Sequence, residues 1–209
     1  MANLQLGNKT VVTQTGSADP VLASNVTIDS GVKFPAGHVV QVLQSVKSDT
    51  DSTRKGFGSG FDDITGTDQN GSGNIFCVKI TPKYNTSKIM ITPSINAGGD
   101  DYNFVYLRLV RDSTPIFVGD LVGARIQSSS MSYSWSANEG VTDVNTFTFL
   151  DSPTINNTPQ EFIYKIQYAC GLNADDSGNA YINRSHRDTA GTHYDARTAS
   201  SITVMEISQ

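Results

Sequence analysis

The sequence predicts an all-β protein of the two-sheet, jelly-roll type, and two observations lead to that prediction. The 209 residues include 17 Val, 15 Ile and 21 Thr against 13 Ala, 9 Leu and 3 Glu, so β-branched residues far outnumber good helix formers. Short segments with an apolar residue at every second position recur along the chain between clusters of Gly, Asn, Asp, Ser and Pro. About eight to ten such strands fit a sandwich of two sheets.

The first 28 residues differ from the rest, and we expect a short N-terminal arm ahead of a jelly-roll domain that spans residues 29–209. Thr10–Thr15 and Val21–Ile28 each have the composition of a short strand but carry little bulk for a core. Unpaired strands of this kind can add to the edge of a sheet in another protein. The arm is therefore predicted to be an attachment device; the alternative is that Val21–Ile28 is the first strand of the jelly roll itself.

Two later segments show the clearest alternation. In Glu161–Cys170 the aromatic and apolar side chains fall on one face, whereas Lys165 and Gln167 fall on the other. Lys88–Asn96 alternates isoleucines with polar residues in the same way. Each pattern predicts a strand with one buried face. The other strands predicted for the domain are His38–Val46, Ile75–Thr81, Tyr102–Arg111, Pro115–Val118, Thr146–Leu150 and Ser201–Ile207.

Tyr102–Arg111 is apolar on both faces. This pattern indicates either a central strand that is covered on both sides or a strand whose second face meets another subunit. Three long polar stretches separate the predicted strands, and we expect them to be surface loops. They are Ser48–Asn74, Gln127–Asp143 and Asn173–Thr198.

Charge and hydropathy exclude several partners. The formal net charge is −5 and the sequence pI is about 5.0, which provides no positive field for nucleic acid. The sequence has neither a run of about 18 apolar residues nor a secretory signal. We therefore expect that the chain is made in a cytoplasm and does not insert into a membrane. Cys77 and Cys170 lie in apolar segments and are either two buried thiols, which we favour, or a disulfide.

Pairs of adjacent acids lie in Gly-rich stretches at Asp62-Asp63, Asp100-Asp101 and Asp175-Asp176. Such oxygens either converge on Ca²⁺ or face solvent, and we favour solvated turns. The segment that most resembles a calcium loop, residues 68–73, has Lys79 where a bidentate Glu is required. It therefore fails as an EF-hand, and we expect no metal site and no cofactor.

The last polar stretch contains a locally basic segment that is rich in histidine. Its candidate ligand or interface residues are Arg184, His186, Arg187, His193, Asp195 and Arg197. Arginines can bind anionic sugars and a His–Asp pair suits acid–base chemistry, but we favour a polar loop with internal Arg–Asp pairs. Trp135, the single tryptophan, is either a platform for sugar stacking or part of a core or subunit interface.

Glycan hydrolysis requires two carboxylates about 5 to 10 Å apart. Glu161 and Glu206 lie in or beside predicted strands, but spacing along one chain does not show that they converge. The sequence contains no serine-nucleophile elbow, no HExxH pair and no phosphate-binding glycine loop. We therefore expect no enzymatic activity and no catalytic residues.

Four segments together resemble a known family. They are, in chain order, Leu22–Gln41, Ile80–Ile91, Phe149–Gln167 and Ser200–Ile207. Their order and spacing resemble tail-fibre-type virion structural proteins of marine and cyanobacterial tailed phages, from about residue 22 to the end. The resemblance implies a compact jelly roll of the tumour-necrosis-factor-like type that assembles as a homotrimer on the virion surface. Because only about 28 residues precede this module, a short subunit is favoured over a long fibre.

These observations predict a non-enzymatic bacteriophage virion-surface protein, made in the cytoplasm of the bacterial host. It would be a trimeric capsid-decoration subunit or a short tail-fibre or knob subunit, anchored to other virion proteins through its N-terminal arm. The alternative is a receptor-binding tail adhesin that recognises a host surface glycan through its polar loops. The third hypothesis is a depolymerase.

Overall fold

The computed structural model describes residues 2–6, 9–14, 21–22, 35–56, 60–100, 103–134, 142–156, 159–171, 178–191, 193 and 195–209. The chain divides into two compact units, Met1–Phe34 and Pro35–Gln209. The described residues form sixteen β-strands and no helix, so the predicted all-β class is confirmed. The predicted boundary after residue 28 stays a prediction.

The N-terminal unit contains a small antiparallel sheet of three strands. These are β1 (Ala2–Leu6), β2 (Lys9–Gln14) and β3 (Val21–Leu22), and β2 lies between the other two. The strand predicted at Thr10–Thr15 therefore has partners on both edges, which corrects the expectation that its backbone groups are unpaired. Among the described residues, β1 and β3 are the edge strands of this sheet. Residues 23–28 of the second predicted strand lie outside the described residues.

The second unit contains two antiparallel sheets, as a sandwich requires. Strands β4 (Val39–Lys47), β5 (Asp51–Thr53), β8 (Lys88–Gly99), β12 (Asp143–Thr146), β13 (Phe149–Asp151), β15 (Ala180–Ile182) and β16 (Ser200–Ile207) form sheet 1. One edge of β8 pairs with β12 and β13, and its other edge pairs with β16 and β15. Beyond these lie β4, which pairs with β16, and β5, which pairs with β15.

Sheet 2 is four strand positions wide, as is sheet 1. Its strands are β6 (Asp62–Asp63), β7 (Cys77–Ile80), β9 (Phe104–Arg111), β10 (Thr114–Ile116), β11 (Ser130–Tyr133) and β14 (Phe162–Cys170). The long strands β9 and β14 pair at the centre. On the outside, β10 and β11 pair with β9, whereas β6 and β7 pair with β14.

The core lies between the inward faces of the two sheets. The alternation of β14 places Tyr164, Ile166 and Tyr168 in this core, as the sequence predicts. Cys77 and Cys170 are both buried and do not form a disulfide, so the favoured alternative for the cysteines is confirmed. Asp151 of sheet 1 accepts hydrogen bonds from Arg111 at 2.7 Å and from the Tyr164 hydroxyl at 2.8 Å, both in sheet 2. This polar contact joins the two sheets at the margin of the apolar core.

Four short strands lie inside the stretches that were predicted to be loops, which corrects those predictions. Strands β5 and β6 fall within Ser48–Asn74, β11 within Gln127–Asp143 and β15 within Asn173–Thr198. Each has two to four residues, which is too short for an alternating pattern to emerge. Strands β6, β11 and β15 each pair with a longer strand, and β5 pairs with β15, so these strands depend on tertiary pairing.

The strand that is apolar on both faces, β9, occupies a central position in sheet 2. Its outward residues Phe104, Tyr106 and Arg108 are half-buried and Val110 is buried. The guanidinium of Arg108 lies 4.1 Å from the centre of the Phe61 ring, so part of the outer face is covered by the chain itself. Contact of this face with another subunit stays a prediction.

Candidate functional site

The basic, histidine-rich loop begins where the chain leaves sheet 1 at Asn183. This residue has a φ of 61°, a conformation that asparagine tolerates better than most residues. Its side-chain amide donates hydrogen bonds of 2.9 Å to the backbone carbonyls of Lys47 and Asp49. Its side-chain oxygen accepts a 2.6 Å hydrogen bond from the Ser200 hydroxyl. The Asn183 side chain thus replaces backbone pairing at the gap between β15 and β16.

One cluster in the loop is built around Asp188. Arg184 binds this carboxylate from one side with a distance of 2.8 Å between Nη1 and Oδ2. Arg197 binds it from the other side, again at 2.8 Å between Nη2 and Oδ1. Asp188 has a φ of 45°, and these two arginines surround its turn.

A second cluster is built around Asp195, whose side chain is almost fully buried. Arg187 donates from Nε to Oδ2 at 2.9 Å and from Nη2 to Oδ1 at 3.1 Å. The backbone N–H of Thr189 and the hydroxyl of Ser185 also donate to this carboxylate. The carboxylates of the loop therefore occupy the guanidinium groups that an anionic sugar would need.

A third cluster is centred on Asp100, at the end of β8. The Tyr181 hydroxyl donates to its carboxylate at 2.5 Å, and Asn179 donates from its backbone and side chain at 2.7 and 2.6 Å. Nδ1 of His186 makes a further hydrogen bond to the same carboxylate. The guanidinium of Arg184 stacks 3.9 Å from the centre of the Tyr181 ring.

The Asp100 cluster changes the acidity of its members. Burial, the largest single influence, raises the pKa of Asp100, but hydrogen bonds from Tyr181, Asn179 and His186 outweigh it and hold the pKa below its usual range. Burial and the bond to Asp100 raise the pKa of Tyr181 to about 12. The arrangement thus keeps a carboxylate at the end of β8 ionised as an acceptor for Asn179, for Tyr181 of β15 and for His186 of the loop.

The structure places the predicted site residues in different environments. Arg184 contributes to the Asp188 and Asp100 clusters, and His186 joins the latter. Arg187, Asp195 and Arg197 take part in internal ion pairs. His193 is exposed on the same loop. Trp135 lies outside the described residues.

Sequence reasoning missed the central role of Asp100 and the contributions of Asn179, Tyr181 and Asn183. Asp100 and His186 are 86 positions apart, so no local spacing links them. The Asp100-Asp101 pair was expected to be a solvated turn or a calcium ligand, whereas Asp100 is buried at 7% exposure, which corrects the favoured alternative for this residue. The Asn183 turn has no distinct sequence signal beyond the tolerance of asparagine for a positive φ.

In the segment that most resembles a calcium loop, residues 68–73, the carboxylate of Asp68 binds donors of the protein itself. Oδ1 of Asp68 accepts hydrogen bonds from the backbone N–H groups of Asn70 and Ser72 at 2.9 and 3.0 Å. Oδ2 pairs with the ammonium of Lys79 at 3.0 Å. The hydrogen bond from Ser72, followed by that from Lys79, lowers the pKa of Asp68. An internal ammonium thus takes the place that a cation would occupy.

The other acid pairs are held separately or lie outside the described part of the chain. Asp62 pairs with Lys55 at 2.7 Å and Asp63 with Lys165 at 2.8 Å. Asp101, Asp175 and Asp176 lie outside the described residues. In the part of the chain that the structure describes, no three His, Cys, Asp or Glu side chains form a group that suits a metal ion.

Among the described carboxylates of the sandwich, Glu206 is the most enclosed, at 0% exposure. Its Oε1 accepts from the backbone N–H groups of Lys83 and Tyr84 and from the Ser87 hydroxyl, at 2.8, 3.1 and 2.7 Å. Its Oε2 accepts from Gln41 at 2.7 Å. Oε1 therefore fastens the β7–β8 connection to the end of β16, and Oε2 joins β16 to Gln41 of β4. Glu161, the other hydrolase candidate, is exposed.

A groove of about 380 Å³ lies on the outer face of sheet 2. It is lined by Phe104, Tyr106, Ala124, Arg125, Ile126 and Gly171. The Phe104 ring stacks on Tyr106 with a centroid distance of 6.1 Å and contacts Tyr133 at 4.6 Å. Aromatic rings and one arginine beside a groove can bind a sugar ring.

No protein-family profile matches the chain, and no curated protein matches it. Among the described residues, the structure contains no helix long and apolar enough to cross a membrane.

Proposed function

We propose that this chain is a non-enzymatic structural subunit of a bacteriophage virion surface, folded as a jelly roll of the tumour-necrosis-factor-like type and assembled as a homotrimer. It decorates the capsid or forms a short tail fibre or knob. The sequence resemblance from residue 22 onward is the source of the virion assignment. The strand pairing of the sandwich is the structural observation that supports it.

That pairing agrees with a jelly roll when collinear short strands are counted as one position. The eight positions in chain order are β4/β5, β6/β7, β8, β9, β10/β11, β12/β13, β14 and β15/β16. The first pairs with the eighth, the second with the seventh, the third with the sixth and the fourth with the fifth. A long hairpin rolled into two sheets generates this nesting, and jelly rolls are frequent in capsid proteins.

A structural role agrees with how the charged groups are used. Glu206 is enclosed by four donors, so it is poorly placed to exchange protons with a substrate. Asp195 and Asp188 are paired with arginines within the loop. Glu206 fastens the β7–β8 connection, and the two aspartates hold the loop that follows β15.

The N-terminal unit supplies the attachment in this proposal. Among the described residues, β1 and β3 are the edge strands of its three-stranded sheet, and an edge strand offers backbone donors and acceptors to a strand of a capsid or tail protein. This differs from the expectation drawn from the sequence, in which β2 was to be a pairing strand.

The test is to locate the protein on particles. Electron micrographs of virions labelled with antibody to this chain, combined with its copy number, separate the candidate positions. Hundreds of copies distributed over the head indicate a decoration protein, whereas about one to two dozen at the tail indicate a fibre or knob. Purified virions that contain no copies of the chain would contradict the proposal.

A receptor-binding adhesin is the second candidate, and the aromatic groove favours it. The groove joins Phe104 and Tyr106 to the exposed side chain of Arg125, whereas the arginines of the polar loop are engaged in ion pairs. Binding of the protein to host glycans on an array would support this candidate if the binding is lost in Tyr106→Ala and retained in Arg197→Ala. Release of new reducing ends from host capsule or lipopolysaccharide by the purified protein, lost on substitution of Glu161 or Asp195, would instead indicate a depolymerase.

A further inference from the structure

The groove on the outer face of sheet 2 is built from two aromatic side chains and a glycine. Phe104 and Tyr106 are separated by one residue on β9, so both rings lie on the same side of the strand. Their planes are 19° from parallel, with 6.1 Å between the ring centroids. Gly171 lines the same groove, and a Cβ at this position would lie 3.1 Å from Cδ2 of the Phe104 ring. The missing side chain therefore keeps the space beside that ring open.

The loop between β10 and β11 contributes Arg125 to the groove. Hydrogen bonds close this loop at its base. The backbone N–H of Gly119 donates to the carbonyl of Ser128 at 3.2 Å, and the side-chain amide of Gln127 donates to the carbonyl of Gly119 at 2.8 Å. The backbone N–H of Arg125 donates to the carbonyl of Val122 at 3.3 Å. A closed turn thus carries the arginine beside the two rings.

The guanidinium of Arg125 has different surroundings from those of the arginines in the histidine-rich loop. Arg184, Arg187 and Arg197 are each paired with a carboxylate of their own loop. Among the described residues, no carboxylate forms an ion pair with Arg125, which is exposed. The groove therefore combines aromatic rings with a cation that no described carboxylate neutralises.

We propose that this groove binds a sugar residue that carries a carboxylate, such as a uronic acid, within a host surface glycan. The inference rests on the second candidate of the proposed function, a glycan-binding adhesin, and adds the class of sugar and the cation that anchors it. The carbon–hydrogen face of the sugar ring stacks on Phe104 and Tyr106, and its carboxylate pairs with Arg125. The volume of about 380 Å³ falls within the range of ligand pockets, about 300 to 1,000 Å³.

Charge complementarity selects an acidic sugar over a neutral one. Both kinds of sugar can stack on the rings, but only the acidic sugar also forms charge-assisted hydrogen bonds with the guanidinium, and these are roughly twice as strong as neutral ones. The net charge of −5 opposes an anion only at long range, because physiological salt screens charges over about 8 Å. The cation inside the groove therefore decides which sugar is held.

The experiment measures binding of the full chain to a panel of oligosaccharides that contain uronic or sialic acids, by NMR titration. The same panel is measured after chemical reduction of each carboxylate to an alcohol. We expect at least one acidic oligosaccharide to bind, and its reduced form to bind at least tenfold more weakly.

Two variants and a matched control test the groove itself. Arg125→Gln should weaken binding of the acidic oligosaccharide at least tenfold and remove its advantage over the reduced form. Tyr106→Ala should weaken binding of both forms, because both stack on the ring. Lys83→Gln removes an exposed cation from the β7–β8 connection and should leave binding unchanged.

Other outcomes overturn specific parts of the inference. Equal binding of acidic and reduced sugars, or binding that persists in Arg125→Gln, would show that Arg125 does not select the ligand and would leave an adhesin for neutral sugars. Absence of binding to every member of both panels would overturn the acidic sugar and the adhesin together, whereas the virion location is tested independently by antibody labelling. A change of oligomeric state in Tyr106→Ala, or its failure to attach to virions, would show that a protein covers the groove. Circular dichroism spectra of the variants must match the wild type, and Arg125→Gln alone decides the test if Tyr106→Ala does not fold.

Discussion

The carboxylate of Glu206 accepts a 2.7 Å hydrogen bond from the hydroxyl of Ser87, which lies 119 positions earlier in the chain. The same carboxylate accepts from two backbone N–H groups and from Gln41. A buried acid thus acts as the shared acceptor for a turn that crosses the end of the sandwich. Groups of this kind are costly to leave without a partner.

Glu206→Ala should lower the free energy of unfolding by about 3 kcal/mol, because several buried donors lose their acceptor. Chemical denaturation followed by tryptophan fluorescence or circular dichroism measures the change. Glu161→Ala removes an exposed glutamate and should stay within about 0.5 kcal/mol of the wild type. Equal stability of the two variants would show that Glu206 does not fasten the turn.

Protonation of Asp100 should account for part of the loss of stability of the domain in acid. Its folded pKa is held below that of an unfolded aspartate, about 3.9, so the ionised group stabilises the fold above that pH. This contribution is lost as the pH falls through the folded pKa. Thermal unfolding from pH 7 to pH 2 should show that the advantage of the wild type over Asp100→Asn shrinks below about pH 4. A difference between the two that is constant over this range would contradict the prediction.

Gly171→Ala should destabilise the sandwich by about 1 to 3 kcal/mol, because added side-chain bulk must displace its neighbours. A Cβ at Gly171 would lie 2.7 Å from Cβ of Phe104 and 3.2 Å from its backbone nitrogen. Gly119→Ala is the matched control, since a Cβ there meets no atom within 4 Å. Denaturant midpoints measure both effects, and a neutral Gly171→Ala would show that Phe104 and its strand shift readily.

A variant that begins near Ala18 lacks β1 and β2 and tests the attachment role of the N-terminal unit. We expect it to fold, to keep its thermal midpoint within a few degrees and to remain trimeric, because strands β4–β16 form the two sheets without those residues. It should fail to bind particles that lack the wild-type protein, whereas the full chain added to the same particles should bind. Decoration at normal copy number by the truncated chain would place the attachment on the sandwich.

The sequence predicts the long strands well because alternation is a local property. Ten segments were predicted to be strands, and each of them overlaps an observed strand. The inward face of β14 follows from side-chain direction alone, since successive residues of a strand point to opposite sides. The short strands β1, β5, β6, β11 and β15 were not predicted, because their partners, rather than their own residues, hold them extended.

The candidate site was predicted only in part, and the difference has a physical cause. The acidic and basic residues of the last loop are close in sequence, so their internal pairing was among the expected alternatives. The acceptor that His186 binds, Asp100, comes from another strand and is brought to the loop by the pairing of β8 with β15.

The sequence by itself therefore determined the all-β class, the positions of the long strands and the residues that point into the core, since composition and two-residue periodicity act along the chain. Only the tertiary structure decided the nested order of the strands and the acceptor roles of Asp100 and Glu206. These features join residues that are tens to more than a hundred positions apart. Their partners are selected by strand register and by the need to satisfy buried polar groups, which no single segment of the sequence specifies.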